Sequence, residues 1–218
     1  MKKVFTSIVA VVLAASVFFT GCSDLTSTGA TSSALGYSSS YGTLGSEVFA
    51  ALKTAFGDAD SARSILNGET TIDVETSVEE SNLSELLENG YVTETAASYI
   101  ERIDSAIDNG DNLSDIASAI SLIEDEALAN LSSEDSDTVL TYAETSKAAL
   151  AYFDSVDSDF SDRSAWSKFK KKAKKVVKAA ASGAVVGAVT GAIANGVQGA
   201  VAGAVTGAVI SAVEEAVS

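Results

Sequence analysis

The chain has 218 residues and a formal net charge of −16 at pH 7, with no His, no Pro and a single Cys. The absence of His excludes imidazole bases and His-ligated zinc, and an acidic bulk that repels phosphate argues against a nucleic-acid partner. The charge is uneven: residues 24–165 hold 28 Asp/Glu against five Lys/Arg, net −23, whereas residues 166–218 hold seven Lys against two Glu, net +5.

Residues 1–21 have the pattern of a secretory signal, in which a basic start at Lys2 and Lys3 precedes an uncharged run over 4–20. The stretch Phe19-Thr20-Gly21-Cys22 resembles the lipobox of bacterial lipoproteins, with Phe in place of the usual Leu. The resemblance implies that Cys22 is the first mature residue, carries a diacylglycerol, and anchors the protein in the cell envelope, at the outer membrane or cell surface. The alternative is a plain signal peptide or membrane anchor that contains a Cys.

Residues 22–45 are rich in Ser, Thr and Gly, which favours a flexible tether. Residues 46–153 then show apolar residues at helical spacing, interrupted by Gly or Asn-Gly, and predict an acidic helical bundle. Predicted N-caps are Ser46, Thr93 and Ser132, and predicted helix stops are Gly57, Gly68, Gly90 and Gly110. The fold class expected is therefore all-α. Residues 154–165 read as an acidic linker, with a candidate cleavage point after Arg163.

The acidic residues of the bundle show no pattern of a binding site. Aligning Gly110 with the glycine of a calcium loop places Ile107 and Ile116 where oxygen ligands are required, so the match fails. Nucleophile–base pairs and phosphate-binding loops are also missing from the sequence. We therefore expect no enzymatic activity, no metal and no cofactor, and we interpret the acidic side chains as a solvated surface.

Residues 166–182 predict a cationic amphipathic helix. On a helical wheel, Trp166, Phe169, Ala173, Val176, Val177 and Ala180 share one side, and all seven lysines lie on the other. Such a helix binds the headgroup zone of anionic membranes. The predicted membrane-binding residues are Trp166, Lys168, Phe169, Lys170, Lys171, Lys172, Lys174, Lys175 and Lys178. Two alternatives remain: the helix docks on the acidic bundle of its own chain, or its charges only orient the apolar segment that follows.

The stretches "WSKFKKKAKKVVK" and "GAVVGAV" resemble cationic antimicrobial peptides of the cecropin type, in which a lysine-rich helix leads through a hinge to an apolar helix. Here Ser182-Gly183 stands where those peptides have a Gly-Pro hinge, and the apolar part is longer. The resemblance implies an action on membranes.

Residues 183–218 follow a four-residue repeat that places small residues on one ridge of a helix. The predicted helix-packing residues are Gly183, Gly187, Gly191, Gly199, Gly203 and Gly207. The repeat resembles the glycine-zipper segments of outer-membrane lipoproteins and bacteriocins, which implies close helix packing or self-oligomerisation. Residues 179–213 carry no charge, and as a single helix these 35 residues would run roughly 52 Å, which is too long for a hydrocarbon core of about 30 Å. We therefore expect a helical hairpin with a hinge at Asn195 and Gly196. The alternative is a β-sheet, because period four also puts Gly and Val on one face of a strand.

Two functions follow as expectations. The first is a lipid-anchored, secreted effector whose cationic glycine-zipper tail inserts into or permeabilises a membrane, with anionic lipid as partner and the acidic bundle as pro-region. In this case the C-terminal part can be released extracellularly by cleavage. The second is a structural envelope lipoprotein that uses the zipper for membrane association or oligomerisation. A weaker third alternative is a lipoprotein that binds calcium or a peptide through its bundle.

Overall fold

The structure is a computed structural model that describes residues 41–70, 83–157 and 163–218. These residues are helical and contain no strand, which confirms the all-α fold class. The predicted signal peptide, Cys22 and the tether up to residue 40 lie outside the described residues, as do residues 158–162 of the predicted linker. The helices are α1 Tyr41–Phe56, α2 Ala59–Leu66, α3 Leu83–Glu88, α4 Glu94–Asn109, α5 Leu113–Asn130, α6 Ser133–Asp157 and α7 Arg163–Val217.

Short polar side chains and glycines set the helix ends. The Thr93 hydroxyl accepts the Ala96 amide at 3.1 Å at the start of α4, and the Ser132 hydroxyl accepts the Asp135 amide at 3.2 Å at the start of α6. Left-handed backbone at the ends of α1, α2 and α3 is taken by the predicted stop glycines, which adopt it without a Cβ clash: Gly57, Gly68 and Gly90.

Two boundaries differ from those predicted. Helix α1 begins at Tyr41, five residues before Ser46, and the Ser46 hydroxyl donates to the Thr43 carbonyl at 2.8 Å from inside the helix. Ser46 is therefore not an N-cap, because the preceding turn is already helical. Helix α6 continues to Asp157 and α7 begins at Arg163, so both ends of the predicted linker are helical.

Helix α6 is the centre of the bundle and packs against α1, α2, α4, α5 and α7. Its Tyr142, Leu150, Tyr152 and Phe153 are fully buried, and so is the Ser146 side chain, whose hydroxyl donates to the Tyr142 carbonyl at 2.8 Å. A helix that is surrounded on most sides lacks a polar face. This is why α6 shows no simple amphipathic pattern.

Helix α7 reverses direction at Gly196, whose φ of +62° departs from the helical value. The reversal divides α7 into a first arm that includes Phe169–Ala194 and a second arm, Gly199–Val217. Glycines of the two arms face each other in opposite order: Gly183 with Gly207, Gly187 with Gly203, and Gly191 with Gly199. The two arms therefore form an antiparallel hairpin, which we call the zipper hairpin.

The contact between the arms depends on the absence of side chains. A methyl group added at Gly187 would lie less than 3.0 Å from the backbone carbonyl of Gly203, and one added at Gly203 would meet the Gly187 carbonyl in the same way. Backbone cannot move aside as a flexible side chain can. All six predicted packing glycines lie in this contact, and the hinge residues Asn195 and Gly196 lie at the reversal.

We expect Gly187→Ala to lower the free energy of unfolding by about 2 kcal/mol, because the new methyl overpacks the backbone of the opposite arm. Gly68→Ala is the matched control, since it adds a methyl in open space at a left-handed residue and costs about 1 kcal/mol of backbone strain alone. Urea unfolding of both variants measures the difference. Equal losses would contradict a tight contact between the arms.

Candidate functional site: the cationic helix and the zipper hairpin

The apolar side of the cationic helix is buried in the core of the bundle. Phe169, Ala173, Val176, Val177 and Ala180 are all buried, with Val176 at 0% exposure, and they join the same hydrophobic core as α1 to α6. The Phe169 ring packs edge-on against Phe153 at a centroid distance of 6.1 Å. The structure thus brings the predicted apolar side together with the chain's own acidic bundle, which is the first of the alternatives weighed for this helix.

Three lysines spaced by four residues bind the end of helix α4, and we call them the inner lysines: Lys170, Lys174 and Lys178. The Lys174 ammonium donates to the carbonyls of Gly110 at 2.6 Å and Asp108 at 3.0 Å, and Lys170 donates to the Asp111 carbonyl. Lys178 pairs with the Asp108 carboxylate at 2.9 Å. Carbonyls at a helix C-terminus lack helical partners and carry partial negative charge. The inner lysines supply these carbonyls with hydrogen-bond donors and with positive charge, and they bind α7 to the bundle.

Three further lysines form a second group, which we call the outer lysines: the exposed Lys171 and Lys175 and the half-buried Lys172. They line an open groove of about 340 Å³ together with Glu215 and Ser218. Lys175 is 61% exposed and lies 3.9 Å from the Glu215 carboxylate. Within residues 41–70, 83–157 and 163–218, Lys171 and Lys172 form no ion pair. The single lysine face predicted from the sequence is therefore two faces.

The remaining predicted residues of this segment lie at the start of α7. Arg163, the candidate cleavage point, is its first residue, and Trp166 and Lys168 follow in the first two turns. Helix α7 thus begins just before the cationic segment. A cut after Arg163 would separate nearly all of α7 from the bundle.

A carboxylate missed by the sequence analysis lies under the hairpin. The Tyr142 hydroxyl of α6 donates to Asp104 of α4 at 2.5 Å. Burial raises the pKa of Asp104, as do the charges of Asp108 and Glu101, while the Tyr142 hydrogen bond and the Lys178 charge oppose the rise. Asp104 follows Ile100 by four residues on the apolar side of α4, and a carboxylate at that spacing is the signal that identifies it.

The tip of the zipper hairpin stands clear of the bundle. Ile193 is 69% exposed, and Thr190, Ala192, Ala194 and Gly196 around it are exposed as well. Each of the two arms, Phe169–Ala194 and Gly199–Val217, contains an apolar stretch of 18 residues with at most two charged side chains. Both are long and apolar enough to cross a membrane by length and composition, which is compatible with membrane association.

The described residues contain no group of three or more His, Cys, Asp or Glu side chains placed to hold a metal ion. Comparison with known proteins gives no match to a family model, a curated protein or a solved structure. The geometry of this chain is therefore the basis for proposing its function.

We expect Lys174→Met to lower the free energy of unfolding by about 1–2 kcal/mol, because the Gly110 and Asp108 carbonyls lose a charged donor while the aliphatic stem is kept. Lys171→Met removes the same charge from an exposed neighbouring lysine that forms no ion pair within the described residues, and it is the control, with an expected change within about 0.5 kcal/mol. Chemical denaturation measures both. A similar loss in the two variants would show that the inner lysines do not fasten the helix.

We expect Asp104 to contribute more stability as the pH falls from 7 toward its ordinary pKa of 3.8. The pKa of Asp104 in the folded state is raised above its ordinary value of 3.8, so the folded state binds more protons in this window and the free energy of unfolding falls as the pH rises. Asp104→Asn keeps an acceptor for Tyr142 and should reduce this gain. Asp125→Asn removes an exposed carboxylate and is the control. The stability gain at low pH should be larger in Asp125→Asn than in Asp104→Asn. Thermal unfolding at pH 4, 5, 6 and 7 measures the slopes.

Proposed function

We propose that this chain is a lipid-anchored, secreted bacterial protein whose cationic zipper hairpin inserts into anionic membranes, and that the acidic bundle holds the hairpin until insertion. The observation that carries the proposal is the hairpin itself. It is a pair of long apolar helices joined at an exposed apolar tip and packed together through bare backbone. No catalytic role is assigned to any residue.

The contacts of the hairpin support its release as a unit. The glycine contacts lie between the two arms, so they are kept when the hairpin leaves the bundle. Each arm satisfies its own backbone hydrogen bonds, as a helix in lipid must. The contacts that are lost on leaving are the buried side of Phe169 and Val176 and the carbonyls that bind the inner lysines. Acyl chains and lipid phosphates replace both kinds of contact.

The alternative is a structural envelope lipoprotein in which the hairpin never leaves the bundle. One observation favours it: residues from Leu44 to Ala216 form one continuous core, which is the arrangement expected of a protein that stays intact. In this case self-association through the zipper is restricted, because each glycine row is already covered by the opposite arm.

We expect the peptide of residues 166–218 to release dye from vesicles rich in anionic lipid at micromolar concentration, and the full chain to do so more slowly because the bundle competes for the hairpin. The control peptide carries Gly187→Leu and Gly203→Leu, which keep the apolar character but prevent the close contact between the arms. Dye release by this control should be much weaker.

If neither the peptide nor the full chain releases dye, membrane insertion is refuted and the structural alternative stands. Mass spectrometry of the protein from cells and medium separates the two functions further. Lipid at Cys22 with an intact tail in the envelope favours the structural protein, whereas a fragment beginning near Trp166 in the medium favours the effector.

A further inference from the structure

We propose that the outer lysines of the closed protein, Lys171, Lys172 and Lys175, form the surface on which the folded chain docks to the headgroups of an anionic bilayer before the hairpin opens. The inference rests on the proposed function for the choice of a membrane as partner. It adds a binding step and assigns the lysines of one helix to two different tasks.

The outer lysines are available to bind a partner, whereas the inner lysines are not. The inner lysines are engaged with the end of α4: Lys174 and Lys178 lie 2.6 to 3.0 Å from oxygen atoms of Asp108 and Gly110, and Lys170 donates to the Asp111 carbonyl. The outer lysines point the other way, into an open groove whose one carboxylate side chain is that of Glu215. Lys175 is 3.9 Å from this carboxylate and mostly exposed, so its ammonium group is free to bind a second anion.

The surface that carries the outer lysines has a local positive charge, although the chain as a whole is acidic. Electrostatic attraction between exposed groups is screened over about 8 Å at physiological ionic strength, so a bilayer senses the local face and not the net charge of −16. Three ammonium groups against the Glu215 carboxylate make this face locally cationic. Since the rest of the chain is strongly acidic, other orientations are repelled and the charge selects the orientation in which α7 faces the membrane.

The exposed tip of the hairpin lies on the same side of the first arm as the outer lysines. Lys175 and Ile193 lie on the same arm, 18 residues apart, which is roughly five helical turns and 27 Å. Residues separated by whole turns point in the same direction from a helix, and both side chains are exposed. A bilayer that lies along this side of the arm therefore touches the outer lysines at one end and the exposed Ile193 at the other.

The test compares two variants of the full chain with a parent chain, and all three carry Cys22→Ser so that an acyl anchor does not contribute. The first carries Lys171→Gln and Lys175→Gln. The second carries Lys53→Gln and Arg102→Gln, which removes the same charge from α1 and α4. Co-sedimentation with anionic vesicles should fall roughly 30-fold for the first variant, at about fivefold per lysine, and little for the second. Zwitterionic vesicles should bind neither variant nor the parent chain.

Undiminished binding by the first variant overturns the inference, and so do equal losses in both variants or equal binding of the parent chain to zwitterionic vesicles. Dye release measured in parallel keeps the two proposals apart. Binding that needs the outer lysines without any dye release would leave the docking surface intact and refute insertion. Dye release by a chain whose membrane binding is unchanged when the outer lysines are replaced would support insertion and refute the docking surface. Circular dichroism of each variant confirms that the fold is retained.

Discussion

The contact between bare backbone at Gly187 and Gly203 is the constraint on which the zipper hairpin depends. Because no side chain separates the two arms, they approach closely enough to behave as one body, in which each arm covers the glycine row of the other. The side chains that remain, mainly Ala and Val, point away from this contact and pack on the bundle, where Ala208, Val209 and Ala212 are buried. The hairpin is thus assembled by its own backbone and positioned by its side chains.

The bundle holds this hairpin through two kinds of contact with different chemistry. The apolar contact around Phe169 and Val176 is non-directional and can be replaced by any apolar environment, including lipid. The lysine contacts are directional, because Lys174 reaches particular carbonyls left free at the end of α4. The carbonyls of a helix terminus are neutral groups, so these contacts do not depend on the protonation of a carboxylate. Only the Lys178–Asp108 pair among them does.

Local chemistry made much of the fold predictable from the sequence. The stops at Gly57, Gly68 and Gly90 and the cap at Thr93 follow from rules that involve only a few neighbouring residues. The packing partner of each helix was not predictable in this way, since a helical wheel identifies the apolar side of residues 166–182 but not what covers it. Periodicity also fails for α6, because a central helix has no polar side, and its Tyr142 hydroxyl is satisfied by Asp104 from another helix. The division of the lysines has the same origin, because it is set by where α4 ends in space.

Because the internal contacts of the hairpin are separate from its contacts with the bundle, the proposed insertion moves it from water to lipid without unfolding it. In water, the apolar sides of the arms need a protein surface, and the bundle provides one whose acidic character also neutralises the cationic helix. In lipid, the same sides need no protein partner, and the antiparallel glycine contact still joins the arms. The change of environment therefore acts on the hairpin–bundle interface alone. A segment assembled through side-chain contacts with the bundle would have to unfold before it entered a membrane, whereas in the proposed insertion this hairpin changes only what covers its outer surface.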